Sequence, residues 1–268
     1  MRPLDTYITK IVQKPVFHKE FFAKMRTFKE LEHIDVEDVN MLKLLGLPLI
    51  KYSNYAFSLE TVDTDIAAGK FCIVDIEANG SKPSLHQIIE IGAVMIESGV
   101  VVAEFSSLAK ADVLPESIEQ LTGITLEELQ KAPPLRQVLE SFRLFLKDAV
   151  FVAHNVNFDY YFISYALEQA GFGPLLNRKL DTIELSRKCI EAPKYGLGAL
   201  TEYLGIGFEH HHRALYDAKA TAEVFFKALE KLPESVKTVE ELIAFTKPQH
   251  LKKRKKEKDA SFKSNTTL

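Results

Sequence analysis

The sequence lacks the features that mark secreted and membrane proteins. Its 268 residues include only two cysteines, Cys72 and Cys189, too few for a disulfide framework. No run approaches the roughly 18 apolar residues of a membrane helix, and the first twenty residues lack the apolar core of a signal peptide. Because both cysteines lie in apolar segments, a reducing compartment is indicated. We therefore expect an intracellular, cytoplasmic protein that does not contact a membrane.

The chain has enough apolar material for a folded core. Hydrophobic residues make up 46% of the sequence, which excludes wholesale disorder. The length is that of one large domain or two small ones. No internal repeat with a period of about 20–50 residues is present. Changes in pattern divide the chain into an extension (1–62), a larger domain (63–246) and a tail (247–268).

Charge is distributed unevenly between these parts. The whole sequence has a formal charge of −3, whereas the twelve residues from 247 to 258 sum to +6. The other 256 residues therefore carry −9. A basic run without an apolar face predicts a disordered arm, which is either a solvated end or an electrostatic tether to nucleic acid.

The extension has the pattern of a small helical and hairpin unit. Its expected elements are helices over 15–28 and about 36–45, the second capped by Asp35, and a hairpin that turns at Ser53-Asn54. This order fits a winged-helix-like unit or a plain packing extension. The second interpretation is favoured because no helix rich in Arg, Lys or Asn stands out for recognition of a groove.

The larger domain has the pattern of an α/β fold. Strands over 71–77, 88–96 and 100–108 form a predicted antiparallel meander, with strands at 149–153 and from 179 and helices near 115–121, 134–147, 158–169, 197–204 and 214–229. Three antiparallel strands followed by strand–helix–strand–helix predict a mixed five-stranded sheet flanked by helices.

Two carboxylates close the first strand of this domain. Asp75 and Glu77 are two residues apart, so on a strand both point to the same face. Burial of like charges is unfavourable unless they are paired or bound to metal. Divalent cations would relieve both the desolvation and the repulsion. The alternative is a strand end at which the acids enter solvent.

Two later clusters favour the metal interpretation over that alternative. They are His154, Asn155, Phe158 and Asp159 directly after strand 149–153, and His212 and Asp217 at the head of the last helix. Each cluster alone fits a structural role. Together with the strand they place acids at one strand end and two helix starts, on one face of one sheet.

This order of motifs resembles a known family. Asp-x-Glu, His-Asn-x-x-Phe-Asp and His-x4-Asp are similar to the DEDDh 3′–5′ exonucleases of the ribonuclease H-like fold. The phrases IIEIGAV, LTGIT, LDTIELSRK, LGALTEYLGI and HHRALYDAKATAEVF resemble the group of the bacterial DNA polymerase III epsilon subunit and the PolC-type exonuclease domain. The resemblance covers about residues 70–232 and leaves the extension and tail outside.

The resemblance implies a site for two Mg²⁺ or Mn²⁺ ions. The implied metal ligands are Asp75, Glu77, Asp159 and Asp217, and the implied general base is His212. The implied substrate-binding positions are Ala78, Thr122, Ile124, His154, Asn155 and Phe158. Ala78 replaces a threonine of many relatives and Thr122 replaces a histidine. These two substitutions affect how the terminal nucleotide fits, and they leave the implied metal ligands unchanged.

The implied activity is hydrolysis of phosphodiester bonds at DNA 3′ ends, with release of nucleoside monophosphates in replication proofreading or repair. The same chemistry on RNA or short oligonucleotides stays open. A non-catalytic nucleic-acid-binding module is disfavoured because all four acids and the histidine are present. The expected partners are single-stranded DNA 3′ ends and a DNA polymerase subunit or sliding clamp. Residues 13–17 faintly resemble a clamp-binding peptide.

Overall fold

The computed structural model describes residues 2–207 and 212–247. The basic run from 248 onward, for which a disordered arm is predicted, lies outside these residues. Within the described ranges, no helix combines the length and apolarity needed to cross a bilayer.

Helices and strands follow one another in the order that the sequence pattern indicates, with three additional helices. The helices are α1 (Pro3–Gln13), α2 (His18–Met25), α3 (Val39–Leu44), α4 (Glu116–Thr122), α5 (Leu126–Lys131), α6 (Leu135–Leu146), α7 (Val156–Gln169), α8 (Thr182–Cys189), α9 (Leu197–Leu204), α10 (Ala214–Leu229) and α11 (Val239–Thr246). The strands are β1 (Val16–Phe17), β2 (Leu49–Ser53), β3 (Ala56–Leu59), β4 (Lys70–Ala78), β5 (Ile88–Glu97), β6 (Val100–Leu108), β7 (Val150–Ala153) and β8 (Lys179–Asp181). The pattern does not predict α1, α5 or α11.

The extension contains an antiparallel sheet with the strand order β1-β3-β2. The helix expected over 15–28 begins only at His18, because Val16 and Phe17 pair with β3. Val16 is buried in this pairing. The segment that resembles a clamp-binding peptide is therefore part of the folded extension.

Two local details of the extension differ from expectation. The side chain of Asp38, not Asp35, caps α3 by accepting hydrogen bonds from the backbone N–H groups of its second and third residues. Asp35 instead accepts from the Glu37 N–H in the preceding turn. The hairpin turns at Asn54-Tyr55, one residue later than expected, because Ser53 still pairs with β3.

The larger domain is built on a mixed five-stranded sheet with the order β6-β5-β4-β7-β8. Strands β4, β5 and β6 form the antiparallel meander, and β7 and β8 run parallel to β4. The predicted α/β fold with a mixed sheet is confirmed. Strand β4 is central, so both of its faces are available for packing.

Helices cover both faces of this sheet. One face packs against α6 and α7 through a core that includes Phe142, Phe151 and Tyr160. The other packs against α8, α10 and α11 through a core that includes Phe71 and Phe225. The carboxyl end of β4 consequently lies between the start of α7 and the start of α10.

Candidate functional site

The predicted acids of β4 lie on the face that packs against α10. Alternation along the strand puts Asp75 and Glu77 on the same side as Phe71 and Ile73, which belong to the core beneath α10. Asp217 is the fourth residue of α10 and is buried. One carboxylate oxygen from each of these three acids lies within 4.8 Å of the other two.

The fourth acid lies on α7, which packs against the opposite face of the sheet from α10. Asp159 is the fourth residue of α7, and its Oδ1 accepts a hydrogen bond of 3.2 Å from the Ile76 N–H. The last pair between β4 and β7 is Ile73 with Val152, so the edge of β4 is free beyond it. The carboxylate therefore satisfies a backbone donor that the sheet leaves unpaired.

This arrangement strongly disfavours ionisation of the acids in the metal-free protein. Burial raises the pKa of Asp75 well above its ordinary value, and the neighbouring charges of Asp159 and Asp217 raise it further. Burial, followed by the charges of Asp217 and Glu90, raises the pKa of Glu77 to about 8. Burial also raises the pKa of Asp159 to about 8. Such clustering of perturbed groups in a cleft is typical of a functional site.

The acids line a cleft of about 260 Å³. His154, Asn155, Phe158 and His212, four of the residues predicted for the site, line it with them. Asn155 and His212 have positive φ angles, 76° and 62°. Left-handed backbone at non-glycine residues is uncommon and concentrates at functional sites. No sequence signal predicts this feature of the cleft.

His154 lines the cleft but its ring is committed to the fold. Its Nε2 lies 2.9 Å from the carbonyl oxygen of Tyr195, which can only accept, so Nε2 carries the proton. Its Nδ1 lies 2.9 Å from the Thr182 hydroxyl and accepts from it when the ring is neutral. Burial lowers the pKa of His154 and favours that neutral form. The ring therefore has no free lone pair to serve as a base.

Of the remaining predicted substrate-binding residues, one lines the cleft and three do not. Phe158 is 39% exposed and packs beside Phe162, so its ring is available in the cleft. Ala78, Thr122 and Ile124 are buried and do not line the cleft. The Thr122 hydroxyl donates to the Ile118 carbonyl and accepts from the Ile124 N–H. The side chains of these three residues serve packing and local backbone bonds, and their contact with substrate stays a prediction.

A buried ion pair holds the segment between His212 and Asp217. Glu90 is 2% exposed and accepts from Arg213 through both Nε and Nη2, at 3.0–3.2 Å. It also accepts from the Ala214 N–H at 3.0 Å, at the first residue of α10. Sequence reasoning does not identify Arg213 as a residue of the site.

The donor set fits divalent cations that prefer oxygen ligands. Among the described residues, no Lys or Arg forms a salt bridge with Asp75, Glu77 or Asp159. Buried carboxylates without a cationic partner are stabilised by metal. Carboxylates supplied by a strand and two helices suit Mg²⁺ or Mn²⁺ rather than metals that prefer nitrogen or sulfur.

A central strand with acids at its end, flanked by helices on both faces, defines a protein of the ribonuclease H-like fold. The family model of RNase T, described as "Exonuclease", matches residues 72–225, more than half of the chain. The chain therefore belongs to this exonuclease family. The predicted resemblance to the exonuclease domain of PolC-type polymerases is also confirmed by the relatives below.

Similar proteins include PolC-type DNA polymerases III of staphylococci. A DNA polymerase III PolC-type protein of Staphylococcus haemolyticus is 38% identical over 174 residues, which are 64% of this chain and 12% of that protein. A PolC-type protein of Staphylococcus aureus is 37% identical over the same shares of length. The chain thus matches about an eighth of the length of these relatives.

The solved structures of E. coli Exonuclease I share the fold. The complex with a dT13 oligonucleotide has a TM-score of 0.57 and 20% identity, and the match covers 61% of this chain and 41% of Exonuclease I. A zinc-bound complex of the same enzyme with single-stranded DNA has a TM-score of 0.58 and 21% identity, with 62% and 41% covered.

Proposed function

We propose that this chain is a divalent-metal-dependent 3′–5′ exonuclease of the DEDDh type that removes nucleoside monophosphates from single-stranded DNA 3′ ends. The observation that carries the proposal is the meeting of the Asp75, Glu77 and Asp217 carboxylates within 4.8 Å, with Asp159 fixed on the adjacent edge of β4. Membership of the exonuclease family and the DNA ligands of Exonuclease I support it.

The four acids would hold two Mg²⁺ or Mn²⁺ ions. When bound, these ions supply a lowered water pKa and stabilisation of charge on the phosphate and leaving oxygen. The protein contributes fixed oxygens, because Asp159 is oriented by the Ile76 N–H and Asp217 by the first turn of α10. No reorganisation of these carboxylates is then needed at the moment of reaction.

His212 is the proposed general base. It is exposed at the cleft, whereas both ring nitrogens of His154 are engaged within the fold. An imidazole accepts a proton from water efficiently at neutral pH. Phe158 offers an exposed ring in the same cleft for stacking against the terminal base.

Proofreading or repair is the proposed role, with a DNA polymerase as partner. The PolC-type relatives support this assignment, since their names place them among DNA polymerases. Neither a sliding clamp nor the alternative of RNA turnover is favoured by a particular contact in the structure. RNA is therefore included as an arm of the test.

A time course on 5′-labelled single strands of DNA and RNA, with Mg²⁺, Mn²⁺ or EDTA, tests the proposal. We expect stepwise shortening of DNA from the 3′ end, and none in EDTA. His212→Ala should lower the rate by about 10²–10⁴-fold, the range of a general base. His33→Ala, an exposed histidine of the extension, is the control. Equal rates for the two variants would overturn the assignment of the base, and faster RNA cleavage would overturn the assignment of the substrate.

A further inference from the structure

A second and larger cleft adjoins the catalytic one. It has a volume of about 680 Å³, against about 260 Å³ for the catalytic cleft, and Asn155 lines both. Asp5 and Thr9 of α1 form part of one wall, and Lys247 after α11 belongs to another. We call it the upstream cleft. Its volume falls in the range of sites that take nucleotide-sized ligands, about 300–1,000 Å³.

Two walls of the upstream cleft are formed by segments that lie outside the residues matched by the exonuclease family model. The match spans 72–225, whereas α1 and α11 lie before and after it. The upstream cleft therefore combines residues of the family match beside β8 with walls that α1 and the end of α11 add.

The carboxylates of the upstream cleft are already occupied. Asp5 accepts from Arg2 at 2.9 Å and from the Tyr161 hydroxyl at 3.0 Å. Asp181 accepts from two backbone N–H groups, those of Ile183 and Val156. Arg2 offsets the charge of Asp5, whereas the two backbone N–H groups stabilise the charge of Asp181 without neutralising it.

One partly buried cation of the cleft, Lys179, interacts with the charge of Asp5 without a direct ion pair. Within the described residues, Lys179 makes no salt bridge; its ammonium donates to the Tyr161 hydroxyl at 2.8 Å and lies 4.0 Å from the centre of that ring. Two of its three N–H bonds remain for an acceptor. Arg187, more than half exposed at the rim, pairs with Glu184 on its own helix and lies 5.8 Å from the centre of the Tyr195 ring. Exposed pairs of this kind exchange partners at little cost.

Cations beside a tyrosine ring suit a single-stranded nucleic acid. Phosphates bind to lysine and arginine, and bases stack on aromatic rings. We propose that the upstream cleft holds nucleotides on the 5′ side of the scissile bond, with their phosphates at Lys179 and Arg187 and a base against Tyr161. The proposal rests on the proposed function, because a strand degraded from its 3′ end must continue in the 5′ direction out of the catalytic cleft.

Two variants test the subsite by independent means. Thr9→Trp fills the cleft from α1, with Thr6→Trp on the exposed face of the same helix as its control. Arg187→Ala removes a rim cation, with Lys227→Ala as its control, because Lys227 forms an equivalent exposed ion pair three residues away on α10.

The substrates are an oligothymidylate of eight nucleotides, dT8, and the p-nitrophenyl ester of thymidine 5′-phosphate, which has no upstream nucleotide. We expect Thr9→Trp to raise the KM for dT8 about tenfold, consistent with the loss of one stacked base, while kcat/KM for the ester stays at the wild-type value. Arg187→Ala should lower the slope of log Kd against log salt for dT8 by about 0.7, as for one lost phosphate contact on a single strand.

Equal losses on dT8 and on the ester, or equal KM changes in Thr9→Trp and Thr6→Trp, would overturn the subsite. Failure of the catalytic proposal gives a different result, in which wild-type protein cleaves neither substrate. In that event, the binding of labelled dT8 in the presence of Ca²⁺, measured by fluorescence anisotropy, still tests the upstream cleft. Weaker binding by Thr9→Trp and Arg187→Ala, but not by their controls, supports the upstream cleft, and unchanged binding overturns it.

Discussion

At the scale of single residues, the acids of the cleft make stability depend on pH in the metal-free protein. Burial raises the pKa values of Asp75, Glu77 and Asp159, the last two to about 8, and the charges of neighbouring acids raise them further. The folded state therefore binds more protons than the unfolded state between about pH 4 and pH 8. Because of this linkage, the contribution of these three acids to the free energy of unfolding is highest in acid and falls as the pH rises through their folded pKa values.

Asp75→Asn should reduce that dependence in EDTA. Its unfolding temperature should exceed that of the wild type at pH 8 and match it more closely at pH 5, since each proton linked to folding contributes about 1.4 kcal/mol per pH unit. Thermal unfolding followed by circular dichroism at both pH values measures the difference. Mg²⁺ should stabilise the wild type more than the variant. A variant less stable than the wild type at pH 8 in EDTA would contradict this account.

The sequence predicts the identity of the acids better than the surroundings that position them. Asp159 and Asp217 are recognisable from the motifs His-Asn-x-x-Phe-Asp and His-x4-Asp, and the structure makes each the fourth residue of a helix that starts beside β4. The left-handed backbone of Asn155 depends on how the chain turns from β7 into α7. The burial of Ile124 depends on packing against Ile89 and Leu129, which only the fold brings together.

At the scale of elements, close contact with β5 fixes the first turn of α10. A Cβ atom at Gly92 would lie 2.1 Å from the backbone of Ala214 and Leu215, so only glycine allows this approach. Glu90, two residues earlier on the same face, accepts the Ala214 N–H. Asp217 follows within the same turn. The position of Asp217, one of the proposed metal ligands, is therefore set by the packing of a helix end on a strand.

Gly92→Ala should displace α10 and with it Asp217. We expect exonuclease activity to fall about 10²-fold, the effect of a displacement of about 1 Å at a reacting centre. Overpacking should also lower the free energy of unfolding by about 1–3 kcal/mol. Gly196→Ala is the control, because a Cβ atom there meets open space and its φ of −71° suits alanine. Similar activities of the two variants in the 3′-end assay would show that α10 does not depend on this contact.

Most elements follow from local patterns, and the exceptions follow from tertiary pairing. The sheet order could be anticipated because the meander and the strand–helix units connect neighbouring strands. The late start of the helix expected over 15–28 could not be anticipated, because Val16 and Phe17 pair with β3, about forty residues further along the chain. Helix α11 is short, and its capping box at Thr238 is the only local signal for it among the described residues.

At the scale of the whole molecule, buried polar contacts join the extension to the exonuclease domain. Arg143 of α6 is 4% exposed and donates to the carbonyl oxygen of Leu45 in the extension and to those of Gly173 and Pro174 in the domain. A second link runs from the Thr61 hydroxyl to Glu240, which also pairs with Arg178. Because a buried carbonyl without a donor is unfavourable, these links couple the folding of the two parts.

Arg143→Met should therefore destabilise the entire chain rather than release the extension alone. We expect the free energy of unfolding to fall by about 2–4 kcal/mol, the effect of leaving two or three buried acceptors without donors. Since the chain contains no tryptophan, urea unfolding is followed by far-ultraviolet circular dichroism. Arg136→Met on the same helix should have a smaller effect, because this exposed side chain donates, among the described residues, only to the Ala170 carbonyl and stacks on Phe172 at the surface. A separate early transition in Arg143→Met would mean that the extension unfolds independently, and an unchanged midpoint would mean that Arg143 does not join the two parts.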